Sequence, residues 1–229
     1  MDSAASPTPW TTDPAVPPLV ARYTTVGGEQ PGQDARIYLY LHGAGATEDD
    51  LLGLAHSVDR DGIHIAYRAP ISYGQGFCWF PLGWNGTSIE IDASVAPHSR
   101  DRIARQLLRD LEALGRTGAP VTVIGFSQGA AMALATAATN PGMFDRVVLL
   151  SGLRLPDLLD SVPPGTPLPA ILVQHGTMDP VVPIDEGRAL ARWCLERNPD
   201  GTTFDEFEMP HTISQESLDG IVGWLGAHP

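Results

Sequence analysis

An α/β architecture built round a mostly parallel sheet is predicted by two features of the sequence. Short apolar runs alternate with helix-period segments along the chain, and the central runs are apolar almost throughout. A strand covered on both faces reads as a continuous aliphatic run, because neither face meets water. Val121–Ile124, Val147–Leu150 and Ala170–Gln174 have this form.

In chain order, the first 18 residues carry five prolines among Ser, Thr and Ala and read as a flexible leader, with one domain over residues 19–229. Val20–Thr25 and Arg36–Leu41 are expected strands separated by a Gly/Pro/Gln turn, an antiparallel pair at a sheet edge. Glu48–Val58 is an expected helix capped by Thr47, and Ile63–Tyr67 the next strand. Ser99–Leu114 places Ile103, Leu107, Leu108, Leu111 and Leu114 on one helical stripe. Gln128–Ala138 is small and helix-favouring, with Pro141 just beyond. Ile184–Arg197 and Gln215–Leu225 are expected helices, with Thr203–Glu208 an alternating strand between them.

Right-handed crossovers put helices on both faces of such a sheet, and ligands bind at the carboxyl ends of its strands. Two aperiodic stretches, Ala69–Pro97 and Gly152–Pro169, are long enough to be walls of a site.

Composition removes several chemistries. All 14 basic residues are arginine, so no lysine is present for a Schiff base, a phosphate loop or the usual kinase site. The net charge of −13 opposes nucleic acid and anionic membrane surfaces. Arg100, Arg102, Arg105 and Arg109 are interleaved with Asp101 and Asp110 on the solvated side of one expected helix. Cys78 and Cys194 make no disulfide framework, no close Cys/His spacing suggests zinc, and no metal or organic cofactor is expected. No run approaches 18 apolar residues and the first residues lack signal-peptide character, so a cytoplasmic protein without a membrane span is expected. Asn85-Gly86-Thr87 matches a glycosylation sequon but is read as a turn.

The chemistry centres on Val121–Ala130, where Gly125-x-Ser127-x-Gly129 lies between an apolar strand and a small-residue helix. This strand–turn–helix frame raises a serine hydroxyl above the sheet on a strained turn, and the flanking glycines avoid collision with strand and helix. The helix N-terminus beside it favours developing negative charge. A serine nucleophile needs a base, and the base an orienting acid, in the order Ser, Asp or Glu, His on folds carrying this turn. Asp179 follows the strand at Ala170–Gln174 in a Gly/Pro-bounded loop, and His211 follows the last strand, so all three candidates fall at strand carboxyl ends.

Other residues are assigned lesser roles. His175 supports the Asp179 loop, and Asp185 is a first-turn acid of the following helix. The tetrahedral oxyanion needs two donors, expected from the backbone N–H of Gln128 and of Ala44 in the loop after Tyr38–Leu41. His42 is read as fixing that loop.

Five segments then carry a family resemblance: Leu41-His42-Gly43-x-Gly45, Trp79-Phe80, Gly125-Phe126-Ser127-Gln128-Gly129, His175-Gly176-x-x-Asp179-x-Val181-Val182-Pro183 and Met209-x-His211. Together they resemble the phospholipase/carboxylesterase family of small α/β-hydrolases over roughly Ala35 to Leu225. The resemblance implies the α/β-hydrolase fold without a large separate cap domain. It implies Ser127, Asp179 and His211 as catalytic triad, Ala44 and Gln128 as oxyanion donors, and Trp79 with Phe80 as an acyl-site wall. The chain departs from the family pattern at Pro210, where glycine commonly precedes the histidine, and at Pro81, where aspartate often follows the Trp-Phe pair. The expected activity is hydrolysis of small-molecule carboxylic esters of short to medium acyl chain. A thioesterase or lysophospholipase on long acyl chains is the alternative, and a non-catalytic ligand-binding protein on the same fold is the rival of another class.

Overall fold

The computed structural model describes residues 17–26, 31–32, 34–84 and 89–228; most of the expected leader and the Asn85-Gly86-Thr87 sequon lie outside the described residues. The strands are β1 (Ala21–Thr24), β2 (Ile37–Leu41), β3 (Ile63–Tyr67), β4 (Ile71–Tyr73), β5 (Gly76–Cys78), β6 (Leu82–Trp84), β7 (Ile89–Ile91), β8 (Val121–Phe126), β9 (Arg146–Leu150), β10 (Ala170–Gly176) and β11 (Thr202–Phe207). The α-helices are α1 (Ala55–Val58), α2 (Ala96–Ala113), α3 (Gln128–Thr139), α4 (Pro156–Leu159), α5 (Ile184–Arg197) and α6 (Gln215–Ala227).

Seven of these strands form one sheet in the order β1-β3-β2-β8-β9-β10-β11, parallel except for β1. Alternate strand residues feed two cores, which is why the central runs are apolar at every position. Ile37, Leu39, Val123, Val147 and Val173 face Ile103 and Leu107 of α2, the alanines of α3 and Leu190 of α5. Tyr38, Tyr40, Ile124, Val148 and Leu172 face Ile221, Trp224 and Leu225 of α6. Helices therefore cover both faces, and the carboxyl ends of the parallel strands share one edge.

Two local expectations are corrected. The first two strands do not pair with each other: β1 lies antiparallel to β3, with Ala21 opposite Tyr67. β2 is buried at every position and takes a parallel neighbour on each side, whereas β1, with Tyr23 exposed, suits the edge. The helix expected over Glu48–Val58 is reduced to a 3-10 turn at Leu52–Leu54 and the single turn α1. Glu48 is buried and bound by Arg68 through two hydrogen bonds of 2.6 Å, so its segment follows the ion pair rather than a helical path. Thr47 accepts instead in a turn, from Asp49 N at 3.4 Å and Asp50 N at 3.2 Å. On α2 the stripe holds at Ile103, Leu107 and Leu111, while Leu108 and Leu114 are exposed.

The aperiodic stretch after β3 is built from the hairpins β4–β5 and β6–β7. The stretch after β9 packs Leu153, Leu155, Leu158, Leu159 and Val162 into the core around α4.

Candidate active site

Ser127 joins β8 to α3 with φ 54° and ψ −117°, a left-handed conformation that costs a non-glycine residue on the order of 1–3 kcal/mol. The turn is over-determined by its neighbours. Ser127 N donates to Leu150 O of β9 at 2.8 Å, and Ser127 O accepts from Ala130 N and Ala131 N at the start of α3. A side chain at Gly125 would put its Cβ 2.4 Å from Gly129 O, and one at Gly129 would come 1.9 Å from Leu41 O. Both glycines are thus required by close backbone approach, the second because strand β2 ends against the turn.

The loop after β2 is pressed onto the serine. A Cβ at Gly43 would stand 3.3 Å from Ser127 Cβ and 3.1 Å from the Phe126 ring. His42 accepts from Ala69 N through Nε2 at 3.0 Å, so its Nδ1 carries the proton and donates to Gly43 O at 2.7 Å. Burial holds this imidazole below its ordinary pKa of 6.5, which keeps it neutral and fixed as a strut. Among the described residues the N–H groups of Ala44 and Gln128 have no protein acceptor, whereas Gly45 N and Ser127 N donate to Phe77 O and Leu150 O.

Two features of this loop were not foreseen from the sequence. Hairpin β4–β5 clamps it, with Gly45 N donating to Phe77 O at 2.8 Å and Phe77 N to Ala46 O at 2.9 Å. A Cβ at Gly76 would reach 2.1 Å from Gly45 O, so that glycine permits the clamp. Arg68 reinforces it by lying 4.6 Å from the Phe77 ring centroid while binding Glu48, whose carboxyl it holds below the usual range. The signal in the sequence was the Gly74–Gly76 turn between Tyr73 and Phe77. The second feature is the Gln128 side chain, which accepts from Trp79 N at 2.9 Å and donates to Phe80 O at 2.9 Å.

Trp79 and Phe80 have no exposed surface at all, and Trp79 Nε1 donates to His42 O at 2.9 Å. Both rings therefore lie inside the hydrophobic core rather than on an exposed wall.

Asp179 leaves β10 in a tight turn, with Oδ1 accepting from Val181 N and Val182 N at 2.8 Å each. Its Oδ2 lies 2.6 Å from His211 Nδ1, which donates to it; the carboxylate side chain is fully buried and the imidazole is 16% exposed. The His211 loop is fastened to the Asp179 loop by Thr177 N to Phe207 O at 2.8 Å and Met178 N to Met209 O at 3.2 Å. Pro210 sits exposed beside it, accepting from Thr212 N at 2.8 Å. The His211 ring packs on Phe126, centroid to centroid 4.8 Å, which brings it to the residue preceding Ser127. No Ser127–His211 hydrogen bond is formed among the described residues, and in unliganded sites such bonds are often long.

His175 donates through Nε2 to Val182 O at 2.9 Å, closing the Asp179 turn, and Asp185 occupies the first turn of α5. Among the described residues no group of three His, Cys, Asp or Glu side chains is arranged to hold a metal ion, and no helix is long and apolar enough to cross a membrane.

A parallel sheet covered on both faces, a strained serine between β8 and α3, and an Asp–His pair at the neighbouring strand ends define an α/β-hydrolase-like protein. The profile of the phospholipase/carboxylesterase family matches residues 25–228, and the chain belongs to that family. It is 30% identical over 153 residues to a Nocardia uniformis subsp. tsuyamanensis protein that carries the esterase name NocK, covering 65% of this chain and 41% of that protein. Acyl-protein thioesterase 1 of Saccharomyces cerevisiae is 35% identical over 112 residues, 48% of this chain and 49% of that protein. The chain thus spans about half or less of the length of these curated relatives. Among solved structures, that of esterase PE8 superposes with a TM-score of 0.76 at 25% identity, covering 93% of this chain and all of that one.

Proposed function

We propose that the chain is a serine hydrolase of carboxylic esters, with Ser127 as nucleophile, His211 as general base and acid, and Asp179 as the residue that orients the imidazole. The observation carrying this reading is the 2.6 Å His211–Asp179 pair on the same sheet edge as the strained Ser127 turn. His211 Nδ1–H is held by Asp179, which leaves Nε2 as the lone-pair nitrogen able to take the Ser127 proton. Ser127 Oγ attacks the acyl carbon, and the Ala44 and Gln128 N–H groups receive the oxyanion. One such donor is worth about 3–4 kcal/mol in the transition state. His211 then passes its proton to the leaving alcohol, and water repeats the sequence on the acyl-enzyme. Trp79 and Phe80 act as the rigid backing of the acyl side.

Short to medium acyl esters are the proposed substrates. The similarity to a yeast acyl-protein thioesterase supports a second reading, hydrolysis of long-chain acyl thioesters. A panel of p-nitrophenyl esters and acyl thioesters of increasing length separates the two. The first reading predicts the highest kcat/KM on short and medium esters; a maximum on long-chain thioesters supports the second, and no turnover of any member by folded protein refutes both.

A further inference from the structure

The reading above gives His175 only a structural place in the Asp179 turn, and its surroundings show more. His175 has no exposed surface and stands one residue before the end of β10. Its Nε2 lies 2.9 Å from Val182 O and 3.5 Å from Asp179 Oδ2, the oxygen that accepts from His211. A carbonyl can only accept, so Nε2 bears the proton and is shared between the two oxygens. Val182 is thereby held at both of its backbone groups, N–H on Asp179 Oδ1 and C=O on His175.

With Nε2 protonated, a neutral ring presents Nδ1 as an acceptor, and that atom is buried without a partner among the described residues. Helix α5 is brought close to it by a glycine: a Cβ at Gly187 would stand 2.2 Å from His175 Nδ1. A buried donor without a partner lies next door. Ser151 follows β9 with φ 46°, is 1% exposed, and its Oγ has no partner among the described residues. The β9–β10 ladder pairs Leu150 with Gln174, and Ser151 N donates to Gln174 O at 2.9 Å, so Ser151 stands beside His175 at the following step. An unmatched donor and an unmatched acceptor, each buried, are costly when left apart at adjacent strand ends.

We infer that His175 is a positioning residue for Asp179, and that the Ser151 hydroxyl backs it from the Nδ1 side. The contacts run from His175 through Asp179 to His211, and the strand register sets Ser151 beside His175. Its effect is to stop the Asp179 carboxylate rotating away from His211 when the imidazole becomes charged during the reaction. This deepens the proposed triad and rests on it. The strain at Ser151 fits such a role, since a left-handed serine persists only where its surroundings hold it.

Three variants test the inference on p-nitrophenyl ester turnover and on the rate of fluorophosphonate labelling. His175→Leu should lower kcat by about 10–100-fold, taking the loss seen when a residue orienting a metal ligand is removed as the measure, with KM within about twofold. His175→Gln keeps an N–H near the Nε2 position and should recover most of that loss. Ser151→Gly removes the hydroxyl while relieving the positive φ. It should fold at least as stably as wild type yet turn over several-fold more slowly, and its effect should not add to that of His175→Leu. Equal loss in the leucine and glutamine variants would reduce His175 to packing, and full activity in both would remove its role. A fully active Ser151→Gly, or strictly additive effects, would remove Ser151. Absence of ester turnover and labelling in wild type would refute the triad reading itself, so the two failures are distinguishable.

Discussion

The Gln128 side chain offers a perturbation whose size can be worked from the geometry. It is 3% exposed and joins α3 to the Trp79–Phe80 segment through two 2.9 Å hydrogen bonds, one accepted from Trp79 N and one donated to Phe80 O. Gln128→Ala leaves both backbone groups without their partner in a buried setting. Each unsatisfied group costs about 1–3 kcal/mol, so the variant should lose about 2–6 kcal/mol. For a domain of this size, 1 kcal/mol moves Tm by about 2–4 °C, so the expected fall is roughly 4–24 °C. Gln128→Glu should be at least as damaging, because a carboxylate oxygen would face the Phe80 carbonyl and bury a charge without a counter-ion. Urea unfolding of wild type and both variants, with kcat/KM on a short ester, is the assay. The backbone N–H of residue 128 survives in each variant, so activity should fall through displacement of the backing wall rather than vanish. A stability change within about 0.5 kcal/mol in either variant would refute the view that this side chain fastens the wall to the nucleophile turn.

Other outcomes follow from the same geometry. Ala44→Pro removes a proposed oxyanion donor and should cut kcat by about 100–1,000-fold, whereas Ala44→Gly should be mild; a severe loss in a folded glycine variant would contradict the backbone role. Burial keeps His42 and His64 below their ordinary 6.5, so between that value and their native values the unfolded chain binds more protons than the native one. Stability should therefore decline as pH falls below about 6.5, with a further loss through the carboxylate range as Glu48, held low by the Arg68 hydrogen bonds, is protonated; a urea midpoint flat from pH 8 to 4 would contradict this. The Cys194 thiol is pushed up to about 12 by burial and Cys78 is also raised, so iodoacetamide at pH 8 should leave native protein unmodified and active. Rapid alkylation with loss of activity would contradict that.

The sheet centre was legible because β2, β8 and β9 are buried on both faces and leave no polar alternation. The partner of β1 was not, since a short strand with exposed Tyr23 carries no record of which neighbour it pairs with. The expected Glu48–Val58 helix failed for a tertiary reason, the capture of Glu48 by Arg68 from the end of β3. At the site, Gly125 and Gly129 could be read because their backbone contacts admit no Cβ. Ser151 could not, because nothing about a serine after an apolar strand announces a φ of 46°. The hairpin clamp on Gly45 was hidden likewise: β4 and β5 are three residues each, too short for a periodic signal.

Covalent labelling by a fluorophosphonate probe, with the modified residue located by peptide mass, tests the central claim most directly. One equivalent on Ser127, absent from Ser127→Ala and slowed in Asp179→Asn and His211→Ala, is the expected result. Stoichiometric labelling of the folded Ser127→Ala variant, or attachment elsewhere in wild type, would contradict Ser127 as the nucleophile.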